Sequence, residues 1–188
     1  RLTRVASVDA VAKTVSTTDG QTTSYDKILV TTGATAFVPG SFASLKGAFC
    51  MRTVDDAVKL HDAIAARDYK DAVIVGASMV GIKVAELLHK RGCHVTLADM
   101  APHIFALAAY PEVSEMIEAR LEKMGIDMVF GKAIAGAVEH TDEAGNITST
   151  TVQLADGSAI ETELLVLNIG TRAATGILDP QQIHIEKS

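Results

Sequence analysis

Two glycines and a serine mark the part of this sequence with the clearest chemical meaning. The stretch VIVGASMVGIKVAE (residues 73–86) carries Gly76 and Gly81 at the first and third glycine positions of a Gly-x-Gly-x-x-Gly turn, with Ser78 in the middle. In such turns the first glycine permits a tight turn, the second lets the backbone approach a diphosphate, and the third brings a helix close to its strand. The serine adds one Cβ and one hydroxyl, which could donate to a phosphate oxygen. We therefore expect a narrowed but open anion site at a helix N-terminus.

An acid follows at the spacing that this turn requires. Asp99 ends the stretch HVTLAD, 23 residues after Gly76, where a carboxylate accepts hydrogen bonds from ribose hydroxyls. A carboxylate repels a ribose phosphate, and the neighbouring Met100 brings no cation. The pattern therefore favours NAD(H) over NADP(H). The alternative is that Asp99 is a solvated turn residue.

The elements around the turn predict an α/β fold with a Rossmann-like parallel sheet. DAVIVG reads as a buried strand, SMVGIKVAELLHKRG as an amphipathic helix ending at Gly92, and HVTLAD as a second strand, which together form a βαβ unit. A further helix is predicted over Pro111–Met124, followed by the strand IDMVFG. The segments AIAGAVEHTD, AGNITSTTVQLADGS and AIETELLVLNIG then predict an inserted antiparallel three-stranded β-meander, whose apolar end LLVLNIG returns to the parallel sheet.

The first third of the chain predicts short strands and one helix. RVASVDA, AKTVSTT and the longer YDKILVTTG alternate or are apolar enough to be strands. Thr53 has the features of an N-cap, with Asp56 at capping-box spacing, and an apolar stripe continues to about Arg67.

Composition narrows the classes of partner. The 188 residues carry a net charge of −6 with no basic cluster, which argues against nucleic-acid binding. No apolar run approaches the roughly 20 residues of a membrane helix. Cys50 and Cys93 show no metal or redox spacing, and buried reduced thiols predict a cytoplasmic location. Both chain ends look interrupted, so we expect a piece of a longer protein.

Several stretches in order resemble the flavin-dependent pyridine nucleotide-disulfide oxidoreductases. SYDKILVTTGATAFVPG is similar to the end of the first half of that family's FAD domain, and GAFCMRTVDDAVKL to the connection that follows. DAVIVGASMVGIKVAELLHKRGCHVTLADMAPHIF resembles the nicotinamide fingerprint, and ELLVLNIGTRAATGIL the strand that closes the nicotinamide domain. The resemblance runs over nearly the whole chain.

The resemblance implies three parts: pieces of a FAD domain in 1–50, a Rossmann-like NAD(P)-binding domain in 51–172, and the start of a return to the FAD domain in 173–188. It implies NAD(H) and, in the full-length protein, FAD, with hydride passing from NADH to flavin and on to a disulfide, quinone, protein or oxygen acceptor. The isolated chain would lack the rest of the FAD domain and the interface domain, would be inactive alone, and is compatible with a homodimer when complete. We expect neither catalytic side chains nor a metal site here. The expected cofactor-binding residues are Thr32, Gly33, Val75, Gly76, Ala77, Ser78, Met79, Val80, Gly81, Asp99, Met100, Ile169 and Gly170.

Four departures from the family pattern keep other interpretations open. Ser78 replaces a glycine, Met79 stands where an aromatic gate is common, Lys83 stands where a glutamate is common, and Ala173-Ala174 replaces Pro-Asn. They permit a non-catalytic nucleotide-sensing or interaction module with the same fold. A ligand-free Rossmann-like domain is a third interpretation, under which Ser78→Gly would leave nucleotide affinity unchanged instead of raising it. His103, just after Asp99, is a candidate for the adenosine side.

Overall fold

The computed structural model describes residues 2–106 and 108–186, which contain three α-helices and thirteen short strands. The helices are α1 (Val54–Ala66), α2 (Met79–Lys90) and α3 (Pro111–Met124). The strands are β1 (Val5–Asp9), β2 (Thr14–Thr17), β3 (Thr22–Ser24), β4 (Ala34–Ala36), β5 (Ala48–Cys50), β6 (Asp71–Val75), β7 (His94–Ala98), β8 (Ile126–Val129), β9 (Ile134–Thr141), β10 (Ile147–Leu154), β11 (Ala159–Thr162), β12 (Leu164–Leu167) and β13 (Thr171–Ala173).

The chain divides into two compact units, residues 36–171 and residues 1–35 with 172–188. The larger unit begins earlier than the domain boundary predicted after residue 50. The reason is β5, whose residues were predicted to lie in a connection. It pairs in parallel with β12 and so belongs to the central sheet.

The larger unit is built on a five-stranded parallel sheet in the order β5-β12-β6-β7-β8. The predicted βαβ unit is confirmed: β6 and β7 pair in parallel from Asp71↔His94 to Val75↔Ala98, and α2 joins them. Both faces of β6 are covered, which explains its continuous apolar sequence. Ile74 contributes to the core on one face, and Val73 and Val75 to the core on the other.

Helices cover one face of this sheet and the meander covers the other. Leu60 of α1, Leu88 of α2 and Leu121 of α3 share a core with Ile74, whereas Val152 of β10 packs with Val73 on the opposite side. The predicted meander is confirmed as an antiparallel sheet in the order β11-β10-β9. The segment predicted as its last strand is divided after β11, and β12 returns to the parallel sheet as predicted, between β5 and β6.

The helix ends follow the predicted local chemistry. Thr53 caps α1, its side chain accepting a hydrogen bond from the Asp56 N–H while the Asp56 carboxylate accepts one from the Thr53 N–H. Burial opposes ionisation of Asp56, yet hydrogen bonds from Thr53 and Arg52 hold its pKa below the usual value. Proline begins α3, and Gly125 ends it in the left-handed conformation at φ 84°.

The smaller unit contains the antiparallel sheet β1-β2-β3. The prediction of a strand over YDKILVTTG is wrong, because these residues, all of them described, have no strand conformation until β4 begins at Ala34. A strand needs a hydrogen-bonded neighbour, and the apolar Leu29 of this segment is 86% exposed. Among the described residues, no helix combines the length and the apolar character that crossing a bilayer requires.

Candidate functional site

A cleft of about 660 Å³ opens at the carboxyl edge of the parallel sheet, within the larger unit. The ends of β6, β7 and β12 contribute Val75, Asp99 and Asn168 to it. Ligands of open parallel sheets bind at this edge, where helix N-termini also converge. The cleft is lined by Phe37, Pro39, Phe42, Val75, Gly76, Ala77, Ser78, Asp99, Met100, Ala101, His103, Phe105, Ala106, Ala108, Ala133, Ile134, Asn168, Ile169 and Gly170.

Gly76 makes the turn that starts the site. Its φ is 105°, and a Cβ built on it would lie 2.4 Å from the backbone oxygen of Asn168. Its N–H donates to the Ala98 oxygen at 2.8 Å, so the turn is held between the ends of β7 and β12. Only glycine satisfies both the dihedral angle and the contact.

Gly81 brings α2 against that turn. A Cβ here would lie 1.9 Å from the Gly76 oxygen and 3.5 Å from Cγ2 of Ile74. The residue is buried in the first turn of the helix. Its role is therefore the close helix packing expected of the third glycine.

Ser78 occupies the middle glycine position as the N-cap of α2. Its Oγ accepts a hydrogen bond from the Gly81 N–H at 3.2 Å and lies 3.4 Å from the Asn168 oxygen, to which it donates. The hydroxyl is thus directed to the protein, whereas the sequence had suggested a phosphate oxygen as its partner. The cap uses one of the first helix N–H groups. The N–H groups of Met79 and Val80 find no acceptor among the described residues.

Asp99 faces the same turn from the end of β7. One carboxylate oxygen accepts a hydrogen bond from the Ala77 N–H at 2.7 Å, and the other accepts from the Ala101 N–H at 2.9 Å. Asp99 forms no ion pair within the described part of the chain. Each oxygen retains lone pairs for a further donor, so the fixed carboxylate can accept from a hydroxyl in the cleft.

Asn168 is a polar residue of the site that sequence reasoning missed. It follows β12, is 8% exposed, and its backbone N–H donates to the Val75 oxygen at 2.7 Å. Its side-chain Nδ2 is buried without a hydrogen-bond partner among the described residues. The sequence feature that could have indicated Asn168 is a single amide side chain within the otherwise apolar run LLVLNIG.

The remaining walls are mostly apolar and come from distant parts of the chain. Phe37 and Phe42 precede the parallel sheet, Phe105 lies in the loop after β7, and Ile134 begins β9. None of these four was predicted, because a hydrophobic residue in a loop has no spacing that distinguishes a cleft wall from core. His103 does line the cleft, with its Nδ1 3.4 Å from the Glu118 carboxylate.

Five of the thirteen expected residues are not part of the cleft lining: Thr32, Gly33, Met79, Val80 and Gly81. Met79 and Val80 are 76% and 44% exposed in the first turn of α2. Thr32 and Gly33 belong to the smaller unit, where Thr32 Oγ1 donates to the Ala174 oxygen at 2.7 Å and the Gly33 oxygen accepts from the Ala174 N–H at 2.9 Å.

Lys83, which departs from the family pattern, is partnered on its own helix. Its Nζ lies 2.9 Å from Oε2 of Glu86, and Lys90 binds the other oxygen of the same carboxylate. The hydrogen bonds from Lys90 and Lys83 lower the pKa of Glu86 to about 2. The positive charge of Lys83 is therefore matched by an adjacent carboxylate at neutral pH.

Known proteins resemble this chain in sequence and in fold. The chain is 30% identical over 185 residues to peroxisomal monodehydroascorbate reductase 2 of Oryza sativa subsp. japonica, covering 95% of the chain and 38% of that relative. It superposes on a ferredoxin reductase of Rhodopseudomonas palustris with a TM-score of 0.79 and 25% identity, covering 93% of the chain and 42% of the reductase.

A solved structure with NADH has the same fold. The water-forming NADH oxidase of Lactobacillus brevis, bound to NADH, matches with a TM-score of 0.79 at 24% identity, covering 93% of the chain and 38% of the oxidase. The chain thus spans about two fifths of the length of these relatives. The family model of the pyridine nucleotide-disulphide oxidoreductases matches residues 1–188. From the glycine turn, the parallel sheet and this match along its full length, the chain belongs to the pyridine nucleotide-disulphide oxidoreductase family.

Proposed function

We propose that residues 36–171 form the NAD(H)-binding unit of a flavin-dependent oxidoreductase and that the smaller unit belongs to its flavin-binding domain. The observation that carries the proposal is the turn at Gly76. There, two glycines in contact with backbone atoms and one carboxylate meet at the N-terminus of α2. This combination is what a bound dinucleotide needs from the protein.

The first turn of α2 supplies the anion site. The N–H groups of Met79 and Val80 have no acceptor among the described residues, and the positive end of the helix dipole adds to their attraction for a diphosphate. Ser78 directs its hydroxyl to the Gly81 N–H, which leaves the backbone accessible from the cleft. This geometry supports an open turn despite the substituted glycine.

Asp99 makes the site selective between NADH and NADPH. Its carboxylate is held by two backbone N–H groups, so it does not need to reorganise in order to accept from ribose hydroxyls. A phosphate on the 2′ oxygen would instead bring a second anion towards it, with no cation paired to Asp99 among the described residues. We infer a preference for NADH over NADPH.

The rest of the cleft suits the planar rings of a dinucleotide. Its volume of about 660 Å³ falls within the usual range for ligand sites, roughly 300–1,000 Å³. Aromatic and aliphatic side chains such as Phe37, Phe105 and Met100 provide apolar surface for adenine and nicotinamide.

Bound NADH would supply a hydride and bound FAD would accept it, while the protein contributes binding and orientation. The relatives described above are named for monodehydroascorbate, ferredoxin and oxygen-to-water chemistry, yet they share this unit. We therefore place the selection of the electron acceptor outside residues 36–171. A cytoplasmic location is proposed from the two free thiols, Cys50 and Cys93, and a homodimer is proposed for the complete enzyme.

Calorimetric titration of the purified chain with NADH and NADPH tests the proposal. We expect saturable NADH binding with a submillimolar dissociation constant, NADPH binding at least about tenfold weaker, and no turnover by the chain alone. An absence of saturable NADH binding up to millimolar concentration contradicts it. If NADH binds but the full-length polypeptide holds no flavin, the nucleotide-sensing interpretation replaces the enzymatic one.

A further inference from the structure

The side chain of Asn168 has a hydrogen-bonding group without a partner among the residues that the structure describes. The residue is 8% exposed, and Nδ2 is the one buried side-chain nitrogen or oxygen without a partner among the described residues. A buried donor without an acceptor is costly and therefore rare in folded proteins. Its position beside the cleft indicates an acceptor outside the described residues.

The position of Asn168 in the sheet narrows the identity of that partner. In the strand order β12-β6-β7, Asp99 follows β7 on one side of the glycine turn and Asn168 follows β12 on the other. The backbone oxygen of Asn168 lies within hydrogen-bond distance of Ser78 Oγ, so the residue directly adjoins the turn. A dinucleotide with its adenosine ribose at Asp99 and its diphosphate at the turn extends its other half past the end of β12.

We propose that the Asn168 side-chain amide donates a hydrogen bond to an oxygen on the nicotinamide half of NADH, either in the ribose or in the carboxamide. This inference rests on the proposed function, and it assigns Asn168 as a positioning residue for the half of the cofactor that carries the hydride. Asp99 and Asn168 then hold the two halves of one ligand from opposite sides of β6. The neighbouring Ile169 and Gly170 line the same end of the cleft.

A purely structural role for Asn168 makes a different prediction. Because Nδ2 has no partner within the described part of the chain, its removal breaks no hydrogen bond there. The matched control is Thr162, which is 2% exposed and whose Oγ1 donates to the Leu164 oxygen at 2.9 Å, at the opposite edge of the sheet. Replacing Thr162 removes a satisfied buried hydrogen bond and should affect folding instead of binding.

The experiment measures the affinity of ADP, ADP-ribose and NADH, together with the melting temperature, for the wild-type chain, Asn168→Ala, Asn168→Leu and Thr162→Val. ADP contains the adenosine and the diphosphate but not the nicotinamide half. We expect both Asn168 variants to weaken NADH about three- to tenfold and to leave ADP unchanged. Leucine preserves the side-chain volume, so agreement between the two variants excludes a cavity effect. A loss for ADP-ribose as well assigns the acceptor to the ribose, and an unchanged ADP-ribose affinity assigns it to the carboxamide.

The melting temperature without ligand should change by less than about 2 °C in the Asn168 variants, and fall by about 3 °C or more in Thr162→Val with unchanged NADH affinity. Equal weakening of ADP and NADH, or unchanged NADH affinity in both Asn168 variants, overturns the inference while leaving the proposed function intact. Failure of the wild-type chain to bind either ADP or NADH overturns the proposed function itself.

Discussion

The polar side chains at the two edges of the parallel sheet differ in whether they have partners within the protein. At the amino edge, His94 lies 3.3 Å from Asp71 and 3.0 Å from Asp127, and Arg67 lies 3.3 Å from Glu163. At the carboxyl edge, Asp99 pairs with no cation and the Asn168 amide has no partner, within the described residues.

This difference shows at which edge of the sheet hydrogen-bonding groups remain available to a ligand. Both edges contain the ends of the same strands, but the polar side chains at the amino edge have partners within the protein and stay exposed to water. At the carboxyl edge, the N-terminus of α2 and a buried amide keep unmet hydrogen-bonding groups. An edge whose groups are satisfied within the protein contributes modest stability, whereas an edge with unmet groups is suited to a ligand.

The largest expected effect comes from Gly81→Ala, which disrupts the packing of α2 at the carboxyl edge. Its Cβ would be 1.9 Å from the Gly76 oxygen, so α2 must move away from the turn. We expect a loss of about 3 kcal/mol in the free energy of unfolding and no measurable NADH binding. Urea denaturation and calorimetry provide the measurements.

Gly157→Ala is the control for that variant. Gly157 has φ 86° but no atom within 4 Å of its Cβ position, so only the dihedral angle opposes alanine. The expected loss is about 1 kcal/mol with unchanged NADH affinity. Equal losses in the two variants would contradict the close packing of α2 on the turn.

Asp99→Asn tests the carboxyl edge by charge, with Asp127→Asn as the matched change at the amino edge. Asparagine can still accept from the Ala77 N–H through its one oxygen, but it binds ribose hydroxyls less strongly and no longer repels a phosphate. We expect NADH to bind about tenfold more weakly and its advantage over NADPH to shrink. Asp127→Asn should leave both affinities unchanged because its partner is His94 at the opposite edge. The assignment of Asp99 fails if both variants behave alike in these titrations.

Substitutions of Ser78 should have the smallest effect on stability. They test whether its hydroxyl serves as the cap of α2 and not as a ligand for phosphate. Ser78→Ala removes the hydrogen bond to the Gly81 N–H and should cost about 1 kcal/mol of unfolding free energy. Ser78→Gly should cost only a few tenths of a kcal/mol, because glycine is a tolerated N-cap. Thermal denaturation compares the two, and greater stability of the alanine variant would rule out the capping role.

Much of the larger unit follows from local chemistry. The helix over Pro111–Met124 and the N-cap at Thr53 depend on contacts within a few residues, so their sequence signals are direct. The strands on both sides of α2 are short apolar runs that adjoin the glycine turn and the helix, which also made them predictable. The two glycines of the turn were also predictable, because a dihedral angle and a steric contact each exclude other residue types.

Other features depend on neighbours that are distant in sequence. β5 is short, and only its pairing with β12 makes it part of the central sheet. YDKILVTTG has the composition of a strand but forms none in the described structure. The prediction from composition was therefore wrong, because composition does not reveal whether a partner strand is present. The phenylalanines of the cleft could not be distinguished from core residues, because periodicity indicates burial and not which cavity a side chain borders.

The sequence by itself determined the βαβ unit, its glycine turn and the acid at the end of β7, since each depends on residue type and short spacing. Only the tertiary structure decided that Ser78 caps α2, that Asp99 binds the turn, and that Asn168 lies beside both with a donor unpaired among the described residues. The physical reason is that hydrogen-bond satisfaction belongs to the folded arrangement. A polar group's partners, and therefore its capacity for a ligand, exist only once distant strands have been brought side by side.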